Sequence, residues 1–159
     1  MGTAEPGQAI DEYERLFRQA APVLWRTIYA YAGGRKHVAD DAVAESFARA
    51  LEHRATIRDP LPWIYRTAFR LARADMKLEA RQGGAPPEQP AGVEEDLRDL
   101  ISALRSLSPG QRAAIVLHYH VDLPVREVSR LMDTSVSVVK VHLYRGRRRL
   151  RALLGSEEA

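Results

Sequence analysis

The chain has 159 residues, of which 45% are hydrophobic and 28% charged; this is enough apolar surface for a packed core and excludes wholesale disorder. It contains no cysteine, which excludes disulfides and thiolate metal sites, and no apolar run approaches the ~20 residues that span a bilayer. The net charge of +3 is segregated: residues 60–82 carry five basic and two acidic side chains, residues 133–155 six and one, and residues 83–100 between them one and five.

In chain order, Met1-Gly2-Thr3-Ala4-Glu5-Pro6 lacks the basic and apolar segments of an export signal, so a cytoplasmic protein without membrane insertion is expected. A first helix is predicted from about residue 10 to 31. Tyr13, Leu16, Phe17, Ala20, Leu24 and Ile28 form its apolar stripe, and Gly33-Gly34 stops it. A second, from about 37 to 54, places Val43, Phe47, Ala50 and Leu51 at helical spacing. Asp59-Pro60 supplies an N-cap and a first-turn proline for a third, ending near residue 81. The stretch Gly83–Gly92 is rich in Gly and Pro and reads as a linker. The predicted organisation is therefore a domain over 10–82, an acidic linker over 83–96 and a second domain over 97–155.

Beyond the linker, Leu97, Leu100, Ile101 and Leu104 define an amphipathic helix. Ser108-Pro109-Gly110-Gln111 opens the next with capping-box spacing, ending near Val121. Leu123-Pro124 starts a short helix to about Met132, Asp133-Thr134-Ser135 turns, and a last helix runs from Val136 to about Leu154. No strand-like alternation occurs, so the predicted fold class is all-α, with two small helical domains joined by a flexible linker.

Two cationic blocks about an anionic one point to two contacts with a polyanion. The last two helices have the layout of a helix-turn-helix. Val125, Val128, Leu131, Val136, Val139 and Leu143 are predicted to lock them together. Ser137, Lys140, Val141, Tyr144, Arg145 and Arg148 then share the other face, where Lys and Arg can bond guanine edges and Val141 can touch a thymine methyl. Ser135 is placed as N-cap, at a helix start able to receive a phosphate. Basic residues also complement a helix C-terminus, but Arg145, Arg147, Arg148, Arg149 and Arg151 exceed what that requires.

In the 60–82 helix, Arg66, Arg70, Arg73, Lys77 and Arg81 form one cationic stripe. Trp63, Tyr65 and Phe69 lie at its start, where aromatic rings can stack on unpaired bases; for Trp63 a role as core anchor competes with this. Asp40, Asp41 and Glu45, followed by Phe47 and Arg49, read either as an exposed acidic turn or as a protein-docking surface. His118 and His120, two residues apart, point in different directions, so chelation is not expected. There is no nucleophile with a base, no phosphate-binding glycine loop and no metal signature; neither enzymatic activity nor a cofactor is expected. An autonomous helix-turn-helix regulator accounts for residues 97–153 but leaves the N-terminal features without purpose.

The segments 37–51, 62–68, 103–112 and 131–150, taken together and in this order, resemble the extracytoplasmic-function (ECF, group IV) sigma factors of the sigma-70 family, over roughly residues 10–153. The resemblance implies a three-helix region 2 module and a helix-turn-helix region 4 module. It also implies that Asp40, Asp41, Glu45, Phe47 and Arg49 dock on the β′ clamp helices of core RNA polymerase, with the β flap as a further contact. Trp63, Arg66, Arg70, Arg73 and Lys77 would engage the −10 element of promoter DNA. Ser135, Ser137, Lys140, Val141, Tyr144, Arg145 and Arg148 would read the −35 element, and the acidic linker would pass near the active-site and RNA-exit channels. An anti-sigma factor is a candidate partner; a sigma-like protein that binds polymerase without promoter melting is the alternative within the family. The sequence departs from the family pattern at Arg70, in place of a usual Asn, in the short 58–62 loop, at Ala44, and at Asp133, Val138, Val141 and His142.

Overall fold

The computed structural model describes residues 6–84 and 92–157. Among them the chain is helical without strands: α1 (Pro6–Tyr31), α2 (Lys36–Glu52), α3 (Pro60–Arg81), α4 (Glu95–Arg105), α5 (Pro109–Ile115), a π-helical turn (Val116–His120), α6 (Val125–Leu131) and α7 (Val136–Glu157). The all-α expectation is met. Contacts divide the chain into two units; the first takes in α1 as far as Ile28 and Lys36–Gly84, the second Tyr29–Arg35 and the chain after Gly84.

In the first unit α2 packs on α3. Val38, Ala39, Ala42, Val43, Ser46, Phe47 and Ala50 of α2 are buried, as are Ile64, Ala68, Phe69 and Ala72 of α3. Both sets recur at intervals of three and four, the row a helix presents to a neighbour. The alanines let the two backbones approach closely. Leu24 of α1 is fully buried, and the Phe17 ring meets Phe47 edge-on at 4.9 Å. Asp59 occupies the N-cap position and Pro60 the first turn of α3, as expected, but the Asp59 side chain makes no cap bond. A cap side chain accepts from the N–H of the second or third helical residue, and the third, Pro62, has none.

The second unit is built on Ile101, Leu104, Leu107, Ala113, Ala114, Ile115, Val116, Leu117, Val128, Leu131, Val139 and Leu143. Burial of each large side chain contributes about 1.5–3 kcal/mol. The capping box at α5 is present, with Gln111 N–H donating to Ser108 Oγ and Ser108 N–H to Gln111 Oε1, both at 3.2 Å. Glu95 and Asp96, expected in the linker, instead form the first turn of α4, where carboxylates complement the positive end of the helix dipole. Residues 85–91 of that linker, like Met1–Glu5, lie outside the described residues.

Also in this unit, three guanidinium groups serve backbone carbonyls at the end of α1 and just beyond it. Arg112 Nε donates to Tyr31 O at 3.2 Å, Arg35 Nη1 to Ala32 O at 2.9 Å and Arg105 Nε to Gly33 O at 2.8 Å. Arg112 is buried, and desolvation together with the nearby Arg35 and Arg105 pushes its pKa down.

Gly146 sets the distance between α5 and α7. A Cβ there would stand 3.0 Å from Ile115 Cγ1, so this position holds the two helices at glycine spacing. Gly146→Val is expected to destabilise the protein by about 1–3 kcal/mol through overpacking, read as a lower urea midpoint of the full chain at unchanged slope; an unaltered midpoint would show that α7 is free to shift away from Ile115.

Candidate nucleic-acid interface

Helices α6 and α7 meet through Val128 and Leu131 on one side and Val139 and Leu143 on the other, all buried. Val125 is half-buried. Val136, predicted among these locking residues, is 37% exposed; as the first residue of α7 it precedes the turn that seats against α6. Between the helices Asp133 takes φ = 53°, the left-handed conformation that Asp tolerates better than most side chains. Thr134 N–H closes the turn on Ser129 O at 3.0 Å. Ser135 caps α7, its Oγ accepting from Val138 N–H at 3.2 Å.

With that side buried, Ser137, Lys140, Val141, Tyr144, Arg145 and Arg148 are all exposed. Val141 and Tyr144 stand out at 46% and 59% exposure. Among the described residues, no carboxylate pairs with Lys140, Arg145 or Arg148. Positive charge without an internal counter-ion, around two exposed apolar groups, is a surface suited to a groove lined by phosphates and base edges.

On α3, Arg66, Arg70, Lys77 and Arg81 are exposed and Arg73 is half-buried. The aromatic group at the helix start does not act as one set. Phe69 is 2% exposed and belongs to the core, which removes it as a stacking platform. Trp63 is half-buried with its ring 6.3 Å from that of His53, and Tyr65 is half-buried, its phenol pKa raised by desolvation. At the far end Glu79, one of the two acids of this helix, pairs with His37.

On α2, Asp40, Asp41 and Glu45 are exposed. Asp40 accepts from Lys36 Nζ at 2.6 Å and from Trp25 Nε1 at 2.7 Å. The Lys36 bond, aided by Trp25, holds its carboxyl below the usual carboxylate range against a smaller opposing effect of burial. Glu45 pairs with Arg49 at 2.8 Å. Phe47, expected with these residues at a docking surface, is 7% exposed. At this position on α2 the side chain faces the core, so any contribution to docking is to hold α2 in place. Its neighbourhood contains what the sequence did not single out, an apolar groove of about 420 Å³ lined by Phe17, Ala21, Pro22, Trp25, Val43 and Ala44 beside Asp40. The 45% exposed Phe17 was recognisable only as a helix-stripe residue, and Trp25 was not singled out.

No cluster of three or more His, Asp or Glu able to hold a metal ion occurs among the described residues. His118 Nδ1 is engaged by Leu123 O at 2.8 Å.

The C-terminal geometry has a counterpart among known families. Residues 97–150 match the family model for sigma-70, region 4. Curated relatives that match the chain more widely are ECF RNA polymerase sigma factors: BldN of Streptomyces coelicolor, 31% identical over 95% of this chain, and SigE of Mycolicibacterium smegmatis, 27% identical over 95%. RNA polymerase sigma factor SigV of Bacillus subtilis is 27% identical over 85% of the chain and 86% of its own length. The chain spans 63% of the BldN length and 65% of the SigE length. In fold it resembles the sigma factor RpoE of Bartonella quintana, solved with the anti-sigma factor NepR, at a TM-score of 0.74 and 18% identity over 91% of this chain and 97% of that one. It also resembles CnrH, solved with the cytosolic domain of CnrY, at 0.63 and 23% over 95% of both. The region 4 segment contains all of α5, α6 and the turn that Ser135 ends, and α7 as far as Leu150.

Ser135→Ala is expected to cost about 1 kcal/mol by removing the α7 cap, seen as a lower thermal midpoint of the full chain. Equal midpoints would mean that the Ser135 hydroxyl is not what starts the helix.

Proposed function

We propose that this chain is an ECF, group IV sigma factor that binds core RNA polymerase and directs promoter-specific initiation. The observation that carries the proposal is the unpaired basic face of α7 within the segment that matches sigma-70, region 4. In this reading Ser135, Ser137, Lys140, Val141, Tyr144, Arg145 and Arg148 meet duplex DNA of the −35 element. Lys and Arg select guanine edges, and Val141, in place of a hydroxylated side chain, favours a thymine methyl. Arg66, Arg70, Arg73 and Lys77 track the backbone of opened −10 DNA while Trp63 offers a stacking edge. Asp40, Asp41 and Glu45, with the apolar groove beside them, dock on the β′ clamp helices, and region 4 meets the β flap. The protein works without chemistry of its own, in the cytoplasm. The sigma factor RpoE, of similar fold, was solved with an anti-sigma factor, and such a partner is proposed here too.

Run-off transcription with core polymerase tests the reading: promoter-dependent initiation is expected only when this protein is added. Tight operator binding by the protein alone, with no initiation, would instead identify an autonomous regulator. Lys140→Ala or Arg145→Ala is expected to weaken −35-dependent initiation by about 1–3 kcal/mol per lost base contact; unchanged −35 preference in both would refute the recognition face. Asp41→Lys is expected to reduce polymerase association in a pull-down while leaving DNA affinity intact, and full association would count against the α2 surface.

A further inference from the structure

One exposed pair in the second unit is not used by that reading. Tyr119, in the π-helical turn, accepts a hydrogen bond through its hydroxyl from Arg147 Nη1 at 2.6 Å. Arg147 lies seven residues after Lys140, three after Tyr144 and four before Arg151, so these four form one line along α7. All four are exposed. The line runs at the edge of the α7 face, next to the side that Val139 and Leu143 bury.

We propose that Tyr119 and Arg147 form a subsite for one backbone phosphate of duplex DNA, with Arg147 the contact and Tyr119 the residue that positions it. The inference rests on the reading that α7 binds DNA. Its chemistry follows from the partner Arg147 has. A phenol oxygen is neutral, so it orients the guanidinium without cancelling its charge, and among the described residues no carboxylate pairs with it. One of five guanidinium N–H groups is used, and the phenol hydrogen remains available to donate. The pair therefore presents several donors and a full positive charge, the requirement for a phosphodiester oxygen.

The phenol is itself held. The π-helical turn closes with Val121 N–H on Val116 O at 3.1 Å. Such a turn is wider than an α-helical one and changes the direction of the side chains that follow. The His118 ring meets the Tyr119 ring edge-on at 4.9 Å and 72°, and His118 is anchored by Leu123 O. An arginine oriented in advance loses less freedom on binding than one that is free to move. The position at the edge of the face, away from Val141 and Arg145, favours a backbone contact over a base contact.

The test uses the full chain and a fluorescent mixed-sequence DNA duplex, with affinity measured by anisotropy over a range of NaCl concentrations. Arg147→Gln is expected to reduce the slope of log affinity against log salt by about 1, the loss of one phosphate. Tyr119→Phe is expected to weaken binding by about 2–5-fold with the slope retained, and to have no effect in the Arg147→Gln background. Arg147→Lys should keep the slope and lose the dependence on Tyr119. If Arg147→Gln leaves the slope unchanged while Lys140→Ala lowers it, the subsite is overturned and the DNA reading stands. Variants that lower only the thermal midpoint would make the pair a helix staple. Absence of salt-dependent binding by the unaltered protein would overturn both readings.

Discussion

Helix α7 can be buried along one line only, through Val139, Leu143 and Gly146. The glycine fixes the approach of Ile115, and the two aliphatic side chains fill the space against α6. Once that line is seated, the helix has no rotational freedom left, and Lys140, Tyr144, Arg145 and Arg148 must face solvent. The mutual repulsion of Lys140, Arg145 and Arg148 is a cost that water and salt reduce but do not remove, since screening acts over about 8 Å at physiological ionic strength. A polyanion removes it. The packing of one side of α7 thus determines the chemistry of the other.

The surfaces of the first unit are electrostatically different. Two of the acids of α2 are engaged by neighbours one turn away, Asp40 by Lys36 and Glu45 by Arg49. Exposed pairs of this kind are worth about 0–1 kcal/mol, so a partner can displace them at little cost. What distinguishes the surface is the groove beside them, where Phe17, Trp25 and Val43 offer apolar contact. The stripe on α3 is cationic, but its aromatic complement is reduced to Trp63 and Tyr65, because Phe69 supports the α2–α3 core.

Much of this was legible in the sequence because local chemistry determined it. The capping box at Ser108, the proline that opens α3, the turn at Asp133 and the cap at Ser135 each depend on residues within five positions of one another. Exposure of the α7 face followed from spacing alone. The features that escaped were those decided by partners distant in sequence. Phe47 meets Phe17, thirty residues earlier; its helical spacing with Val43 and Ala50 pointed inward, while the acidic segment around it pointed to a docking surface, and the contact with Phe17 decides between them. Val136 fits the apolar period of α7 but lies beyond the reach of α6. The π-helical turn after Ile115 and the positive φ of Asp122 have no marker as clear as a glycine. Tyr119 and Arg147, twenty-eight residues apart, meet only because that turn lies beside α7.

The central claim is that the seated α7 presents its outer face to duplex DNA within a polymerase complex. A photocrosslinking amino acid in place of Tyr144, 59% exposed on that face, tests it directly in the reconstituted complex with core polymerase and promoter DNA. The account predicts a crosslink to the DNA that polymerase confines to the duplex upstream of the melted region. A crosslink to polymerase with none to DNA would contradict it.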